Sequence, residues 1–335
     1  DEIVRAVVGS HRGPLKAKEL ARALQVPEPL YRPFRERLRA LVDSGRLYRV
    51  KGQRYASPSR INLVVGRLSV TRRGDGFVTP EGGGSDVFVP SAAMDTAMDG
   101  DRVVVRVEAR PRGRAPEGRV IKVLERAHET IVGTYVEGRG YATVVPHDVR
   151  LGAEVLIPEP GSGGASDGDV VVVEVEQFGV GRLAPIGRIV RVLGRPDEPG
   201  VDVLAVSFAH GIPLEFPPEA EREAERRARL GAGDRAGRVD RTGLHVFTID
   251  PADARDHDDA LSIEARGKGV WEVGVHIADV SHYVDEGGPL DVEALRRGTS
   301  VYLVDRVIPM LPHALSADAC SLRPDEDRLA VSVFM

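Results

Sequence analysis

The chain has 335 residues, 42% of them hydrophobic and 29% charged, which suffices for two or more packed domains and is too apolar for a disordered chain. No run approaches the roughly 18 consecutive apolar residues of a membrane span and no signal peptide opens the chain, so no membrane partner is expected. The single cysteine, Cys320, excludes an internal disulfide and suits the reducing cytoplasm where we expect the protein to act; its apolar neighbours point to packing rather than chemistry.

The net charge of -5 hides an asymmetry. Residues 1–60 carry 14 Lys+Arg against 6 Asp+Glu, a balance of +8, whereas residues 240–335 carry 9 against 18, a balance of -9. A basic head attracts phosphate backbones. An acidic tail that meets a polyanion needs metal ions to mediate the encounter.

In chain order, residues 1–60 predict three helices, Glu2 to Val8, Lys16 to Leu24 and Leu30 to Val42, the last with Leu30, Phe34, Leu38, Leu41 and Val42 on one face. A hairpin follows, Leu47 to Val50 and Gln53 to Ala56 around Lys51-Gly52. This is the order of a winged helix. Such a domain grips nucleic acid through Arg32, Arg35 and Arg39 of its third helix and Arg49, Lys51 and Arg54 of its wing, although some winged helices bind only proteins.

The middle of the chain repeats itself. Val87-Phe-Val-Pro90 recurs as Val155-Leu-Ile-Pro158, Asp99-Gly-Asp-Arg-Val-Val-Val105 as Asp167-Gly-Asp-Val-Val-Val-Val173, and Gly118-Arg-Val-Ile-Lys-Val-Leu124 as Gly187-Arg-Ile-Val-Arg-Val-Leu193. Three matches at nearly one offset indicate a duplicated module, residues 61–129 and 130–195. Short strands divided by Gly, Asp and Pro turns predict a five-stranded barrel for each copy. The first copy resembles a cold-shock domain through Arg72-Arg-Gly-Asp-Gly-Phe-Val78 and Asp86-Val-Phe-Val89, which implies an OB fold that stacks bases on Phe77 and Phe88. Asp75 replaces one aromatic of that pattern and the second copy keeps only Tyr141, so backbone contacts are expected to matter beside stacking; a core role for the three rings is the alternative.

Residues 196–239 predict a linker carrying one solvated helix of alternating charge from Pro217 to Leu230, stopped at Gly231. Residues 240–335 then open a region of different character. Thr248-Ile-Asp-Pro-Ala-Asp-Ala-Arg-Asp-His-Asp-Asp-Ala-Leu-Ser-Ile-Glu264 crowds Asp250, Asp256, Asp258 and Asp259 into ten residues between apolar flanks. Carboxylates that cannot all be solvated take up protons or bind cations, and hard oxygen donors favour Mg²⁺, with Mn²⁺ as the alternative. A calcium loop fits poorly, since Leu261 stands where such a loop needs Gly and Gly267 where it needs Glu. The alternation after the aspartates predicts a hairpin with Trp271, Val273, Val275 and Ile277 on one face and Asp279 near the loop, as polar support or helix cap. His257, His276 and His282 have no zinc spacing and read as structural.

The aspartate run, with its Asp-x5-Asp-x-Asp-Asp spacing, is similar to the signature of the RNB exoribonucleases, the ribonuclease II and ribonuclease R family. The similarity continues through Gly274-Val-His-Ile-Ala-Asp-Val-Ser-His-Tyr-Val284 and from Arg297-Gly-Thr-Ser-Val-Tyr302 to Cys320-Ser-Leu-Arg-Pro324. It implies an α+β multidomain protein ending in the first part of an RNB α/β catalytic domain. It also implies processive, metal-dependent 3′-to-5′ hydrolysis of single-stranded, and in some members structured, RNA to nucleoside 5′-monophosphates. By that resemblance Asp250, Asp256 and Asp259 hold metal, Asp258 is the carboxylate most tightly coupled to turnover, through metal as a fourth ligand or through water, and Tyr302 packs on the 3′-terminal nucleotide. RNA is the expected partner, with the ribosome or RNA-decay proteins as further ones. Family members extend well beyond the strand in which this chain stops, so it reads as a segment of a larger enzyme, and an RNA-binding protein with an incomplete, inactive nuclease domain is the alternative. A transcription regulator would leave the acidic region unexplained.

Overall fold

The structure, a computed structural model, describes all residues except 1, 11–12, 153, 160, 180–182 and 252–253. The chain divides into two units, Asp1–Ala205 and Val206–Met335.

The first unit begins with α1 (Glu2–Gly9), β1 (Leu15–Lys16), α2 (Ala17–Ala23), α3 (Tyr31–Asp43), β2 (Tyr48–Val50) and β3 (Arg54–Ala56), the strands forming a sheet of order β1-β3-β2. Phe34, Leu38 and Leu41 of α3 turn inward onto Val7, Leu20 and Leu47. Leu30 does not join them. It ends a short 3-10 turn before α3 begins and is exposed, because the chain enters the helix one residue later than the periodicity implied. Short β1 was not visible in the pattern, being two residues long.

Two closed five-stranded barrels follow. The first contains β4 (Leu63–Val70), β5 (Gly76–Pro80), β6 (Val87–Val89), β7 (Arg102–Ala109) and β8 (Glu117–Glu125) in the order β4-β5-β6-β8-β7. The second contains β9 (Thr130–Glu137), β10 (Ala142–Pro146), β11 (Val155–Ile157), β12 (Val170–Gln177) and β13 (Ile186–Gly194) with the same connectivity. The repeated Asp-Gly-Asp does one job twice. Asp99 and Asp167 accept the Val70 and Glu137 amides at 2.7 and 2.9 Å, while Asp101 and Asp169 accept the Met98 and Ser166 amides at 3.0 and 2.8 Å, so each carboxylate closes the turn into the long fourth strand. Gly66 and Gly133 are equivalent too: a Cβ at either would collide with the carbonyl of Thr79 or Val145 on the neighbouring strand. Met98 of the first module packs into the second barrel's core, and the Arg126 guanidinium lies 3.7 Å from the centre of the Phe178 ring while bonding buried Asp101 at 2.8 Å.

Helix α4 (Val201–Ala209) occupies part of the segment expected to be linker. In the second unit, α5 (Pro218–Arg227) is not the solvated helix its charges suggested. Ala220 and Ala224, four apart, are fully buried against Tyr283, Leu290, Leu315 and Leu329, and a two-alanine stripe is too small to register among seven charged neighbours. Strands β14 (Val246–Phe247), β15 (Asp259–Gly267), β16 (Val270–Ala278) and β19 (Ala330–Phe334) form a sheet in that order, with α6 (Val280–Tyr283), α7 (Pro289–Arg297) and the small pair β17 (Val301–Tyr302) and β18 (Val307–Ile308) between β16 and β19. Trp271 and Ile277 lie on a solvent-exposed face. The buried positions of β16 are Gly274, His276 and Ala278, packed with Ser262, a small and polar set that alternation of apolar residues does not reveal.

Candidate active site

The aspartate run links β14 to its antiparallel neighbour β15, whose first residue is Asp259. The described residues between Phe247 and Asp259 have no regular secondary structure, so hydrogen bonds from elsewhere in the unit must fix them. The Ala278 amide donates to the Asp258 carbonyl at 3.0 Å, and the Leu322 amide to the His257 carbonyl at 2.8 Å. The Ser321 hydroxyl accepts the His257 amide at 3.0 Å and donates to the Arg255 carbonyl at 2.8 Å. Ala252 and Asp253 of the run lie outside the described residues.

The carboxylates fall into two kinds. Asp250 Oδ2 meets His257 Nδ1 at 3.0 Å, and hydrogen bonds from His257 and Thr248 hold its carboxyl below the usual range. Asp256 Oδ2 accepts the Tyr302 phenol at 2.7 Å, and that bond, with burial and the charges of Asp256 and Asp258, pushes the phenol up to about 12. Asp258 goes the other way. Partial desolvation first, then repulsion from Asp256, Asp259 and Asp250, raises its carboxyl above the ordinary value, with His257 a weaker opposing influence. The four side chains thus share one electrostatic environment whose negative charge is incompletely compensated.

Such a donor set fits a hard divalent cation. Among the described residues no three His, Cys, Asp or Glu side chains stand together as a finished ligand cage. Mg²⁺ seldom demands one, since it keeps several waters and takes one or two carboxylates together with substrate phosphate oxygens.

Behind the loop, Asp279 stands at the N-cap of α6, but its side chain makes no capping bond there. It is buried, accepting Arg238 Nη2 and Ser281 Oγ, both at 2.7 Å; burial raises its carboxyl, and these two partners outweigh that and hold it low. Its neighbour Ala278 is the residue that holds Asp258, so the Arg238 ion pair fixes the corner on which the loop rests. Of the three histidines, His257 bonds Asp250 within the loop and the other two stand apart from it: His276 is bonded by Ser332 and Ser262 at 2.8 and 2.9 Å with its pKa lowered by burial, and His282 faces Asp234 at 3.3 Å. Burial, then Asp258 and Asp279, pushes the Cys320 thiol up to about 12, which leaves it unreactive.

The other expected contact residues lie in the first unit. Phe77 and Phe88 are cross-strand partners on β5 and β6 with ring centres 5.5 Å apart, and they alternate with the core residues Val78, Val87 and Val89. Tyr141 is 61% exposed at the start of β10. Arg35 and Arg39 are exposed along α3, as is Lys51 in the β2–β3 turn, whereas Arg54 is engaged by the Pro14 carbonyl and Glu19. Sequence reasoning missed Ser321 and Arg238. Ser321 acts 64 residues from the amide it accepts, and no periodicity spans such a distance.

An RNB domain model matches residues 238–335, a ribonuclease B OB domain model residues 66–123, and a cold shock domain model residues 144–217. Ribonuclease R of Acidithiobacillus ferrooxidans is 37% identical over 321 residues, covering 95% of this chain and 73% of that protein. The chain belongs to the ribonuclease R family. Within the family, the proteins of Escherichia coli K12 and of Vibrio cholerae are 41% and 38% identical over 320 and 323 residues, and the chain spans 39% of the length of each. Mycoplasma genitalium RNase R, solved in complex with ribose-methylated single-stranded RNA, superposes with a TM-score of 0.75 at 24% identity, over 81% of this chain and 43% of that one. Yeast Ssd1, a pseudonuclease, gives 0.63 at 20% identity over 82% of this chain and 41% of its own. At these identities both structures establish the fold alone.

Proposed function

We propose that this chain is the RNA-gripping and carboxylate-bearing portion of a cytoplasmic 3′-to-5′ exoribonuclease that hydrolyses single-stranded RNA to nucleoside 5′-monophosphates with Mg²⁺. The observation that carries the reading is the group of four aspartates, in which burial and then the charge of its neighbours raise Asp258, inside the segment that matches the RNB domain. Asp250, Asp256 and Asp259 would hold the cation, Asp258 completing the group. When bound, a divalent cation neutralises phosphate charge and lowers the pKa of water. Asp258, whose carboxyl burial and neighbouring charge raise, would accept a proton from the attacking water, and the exposed ring of Tyr302 would offer the terminal base a stacking surface while its hydroxyl fixes Asp256.

Upstream, residues 2–56 serve as a winged helix. Arg35 and Arg39 on α3 and Lys51 in its wing contact phosphates, and Phe77, Phe88 and Tyr141 stack bases on the barrels, without sequence preference because every base has a π-face. A second reading is RNA binding without hydrolysis. A gel time course of 5′-labelled single-stranded RNA with Mg²⁺ separates the two. Stepwise shortening to a small limit product, lost in Asp258→Asn, supports the nuclease; intact RNA with a retained gel shift supports the binding protein.

A further inference from the structure

The loop that carries the aspartates has no ladder of its own, so something outside it must set where the carboxylates point. We infer that Ser321 is a positioning residue for Asp256 and Asp258, an inference that rests on the nuclease reading of the loop. Its hydroxyl is used twice, accepting from the His257 amide and donating to the Arg255 carbonyl, and so it brackets the backbone on both sides of Asp256. The next residue, Leu322, holds the His257 carbonyl through its amide, which fixes the peptide that enters Asp258. One short segment therefore grips three polar groups of the loop backbone, on either side of Asp256.

The grip is itself rigid. Ser321 has no solvent exposure. It follows a π-helical turn, Leu315–Ala319, in which the Cys320 amide reaches the Leu315 carbonyl at 2.8 Å, and such turns cluster at functional sites. The Ser321 amide donates to the Asp318 carbonyl at 2.9 Å, and Arg328 Nε donates to the Ser321 carbonyl at 3.0 Å while its Nη2 holds Asp318 Oδ1 at 3.0 Å. A hydroxyl is required here because a single atom must be donor and acceptor at once. Alanine would leave a buried amide and a carbonyl without partners, whereas threonine keeps both bonds.

The test compares the intact chain with Ser321→Ala and Ser321→Thr in three measurements: amide exchange of residues 254–259 by NMR, Mn²⁺ affinity by electron paramagnetic resonance, and turnover and KM on a single-stranded RNA. Ser321→Ala is expected to speed exchange at His257, to weaken Mn²⁺ binding and kcat by about 10-fold, the usual effect of removing a group that orients ligands, and to leave KM unchanged. Ser321→Thr is expected to restore kcat and Mn²⁺ affinity. Wild-type Mn²⁺ affinity and kcat in Ser321→Ala would overturn the assignment, as would equal loss in Ser321→Thr. If the alanine variant does not fold, the wild-type chain decides: a slowly exchanging His257 amide upholds the clamp, and exchange at the free-peptide rate overturns it. Mn²⁺ binding that depends on Ser321 in a wild-type chain that leaves RNA intact would sink the nuclease reading while the positioning role stands.

Discussion

The Tyr302 hydroxyl donates to Asp256 Oδ2 across 2.7 Å, tying an exposed ring on the β17–β18 pair to a carboxylate of the loop. With the phenol pushed up to about 12, it stays a donor at any working pH. Phenylalanine at this position keeps the ring and removes the bond; alanine removes both. Tyr302→Phe should retain RNA affinity and lower the Mg²⁺ midpoint, because a freed Asp256 oxygen is a better ligand. Tyr302→Ala should in addition weaken RNA by about 1–3 kcal/mol and change the limit-product length. RNA titrations and Mg²⁺ midpoints of the two variants check this, and identical RNA affinities would remove the stacking role from the ring.

Asp258→Asn should abolish nearly all hydrolysis and leave RNA binding almost intact. The substitution preserves shape and hydrogen-bonding capacity on a loop held by backbone contacts from Ala278, Ser321 and Leu322, so the RNA surfaces have no reason to move. Anisotropy titration alongside the gel assay measures both, and a parallel fall in affinity would contradict the assignment.

The raised carboxyl of Asp258 makes a second demand on that variant. Without cation the folded chain holds this proton more tightly than the unfolded chain, so the associated stability is present at acid pH and is lost as pH rises through Asp258's elevated value. Asp258→Asn removes that loss. In EDTA the variant should melt above the wild type at neutral pH, and the two curves should converge on acidification. Mg²⁺ should close the gap from the other side by stabilising the wild type. Asp250 has the opposite sign: its lowered carboxyl contributes stability above the ordinary carboxylate range that is lost as pH falls through its depressed value.

The duplication offers a stability test of its own. Gly66→Ala and Gly133→Ala each drive a methyl into a cross-strand carbonyl, and overpacking of this kind costs about 1–3 kcal/mol. Both should lower the melting temperature of the first unit, measured by circular dichroism, and leave amide exchange in the aspartate loop unchanged.

What could be read from the sequence was whatever lay in local spacing. The repeat offset gave two barrels because equivalent turns need equivalent Asp and Gly, and the crowded aspartates pointed to a candidate site because four carboxylates in ten residues have few uses. What escaped was non-local. Ala220 and Ala224 carry too little apolar surface to outweigh the charges around them, yet helix α5 packs on them. The sheet face chosen by alternation was the exposed one, because the buried face is built from Gly274, His276, Ser262 and Ala278, whose packing depends on side-chain hydrogen bonds and small size. Arg238 and Ser321 reach their partners across 41 and 64 residues, where the sequence carries no period.

Salt separates the two kinds of RNA contact expected of the first unit. A phosphate contact releases counterions, so each one lost should reduce the slope of log affinity against log salt by about 0.7 for a single strand; a stacking contact changes affinity and leaves the slope alone. Arg35→Ala, Arg39→Ala and Lys51→Ala should therefore flatten the slope with small losses at high salt. Phe77→Ala and Tyr141→Ala should lower affinity by about 1–3 kcal/mol at every salt concentration. Phe77 and Phe88 face one another at 5.5 Å, so the loss at Phe77 should also diminish what Phe88→Ala removes, and the double variant should cost less than the sum. Fluorescence titrations across a salt series with one RNA length measure all of these, and a slope that falls in Phe77→Ala would place that ring among structural supports of the phosphate contacts rather than under a base.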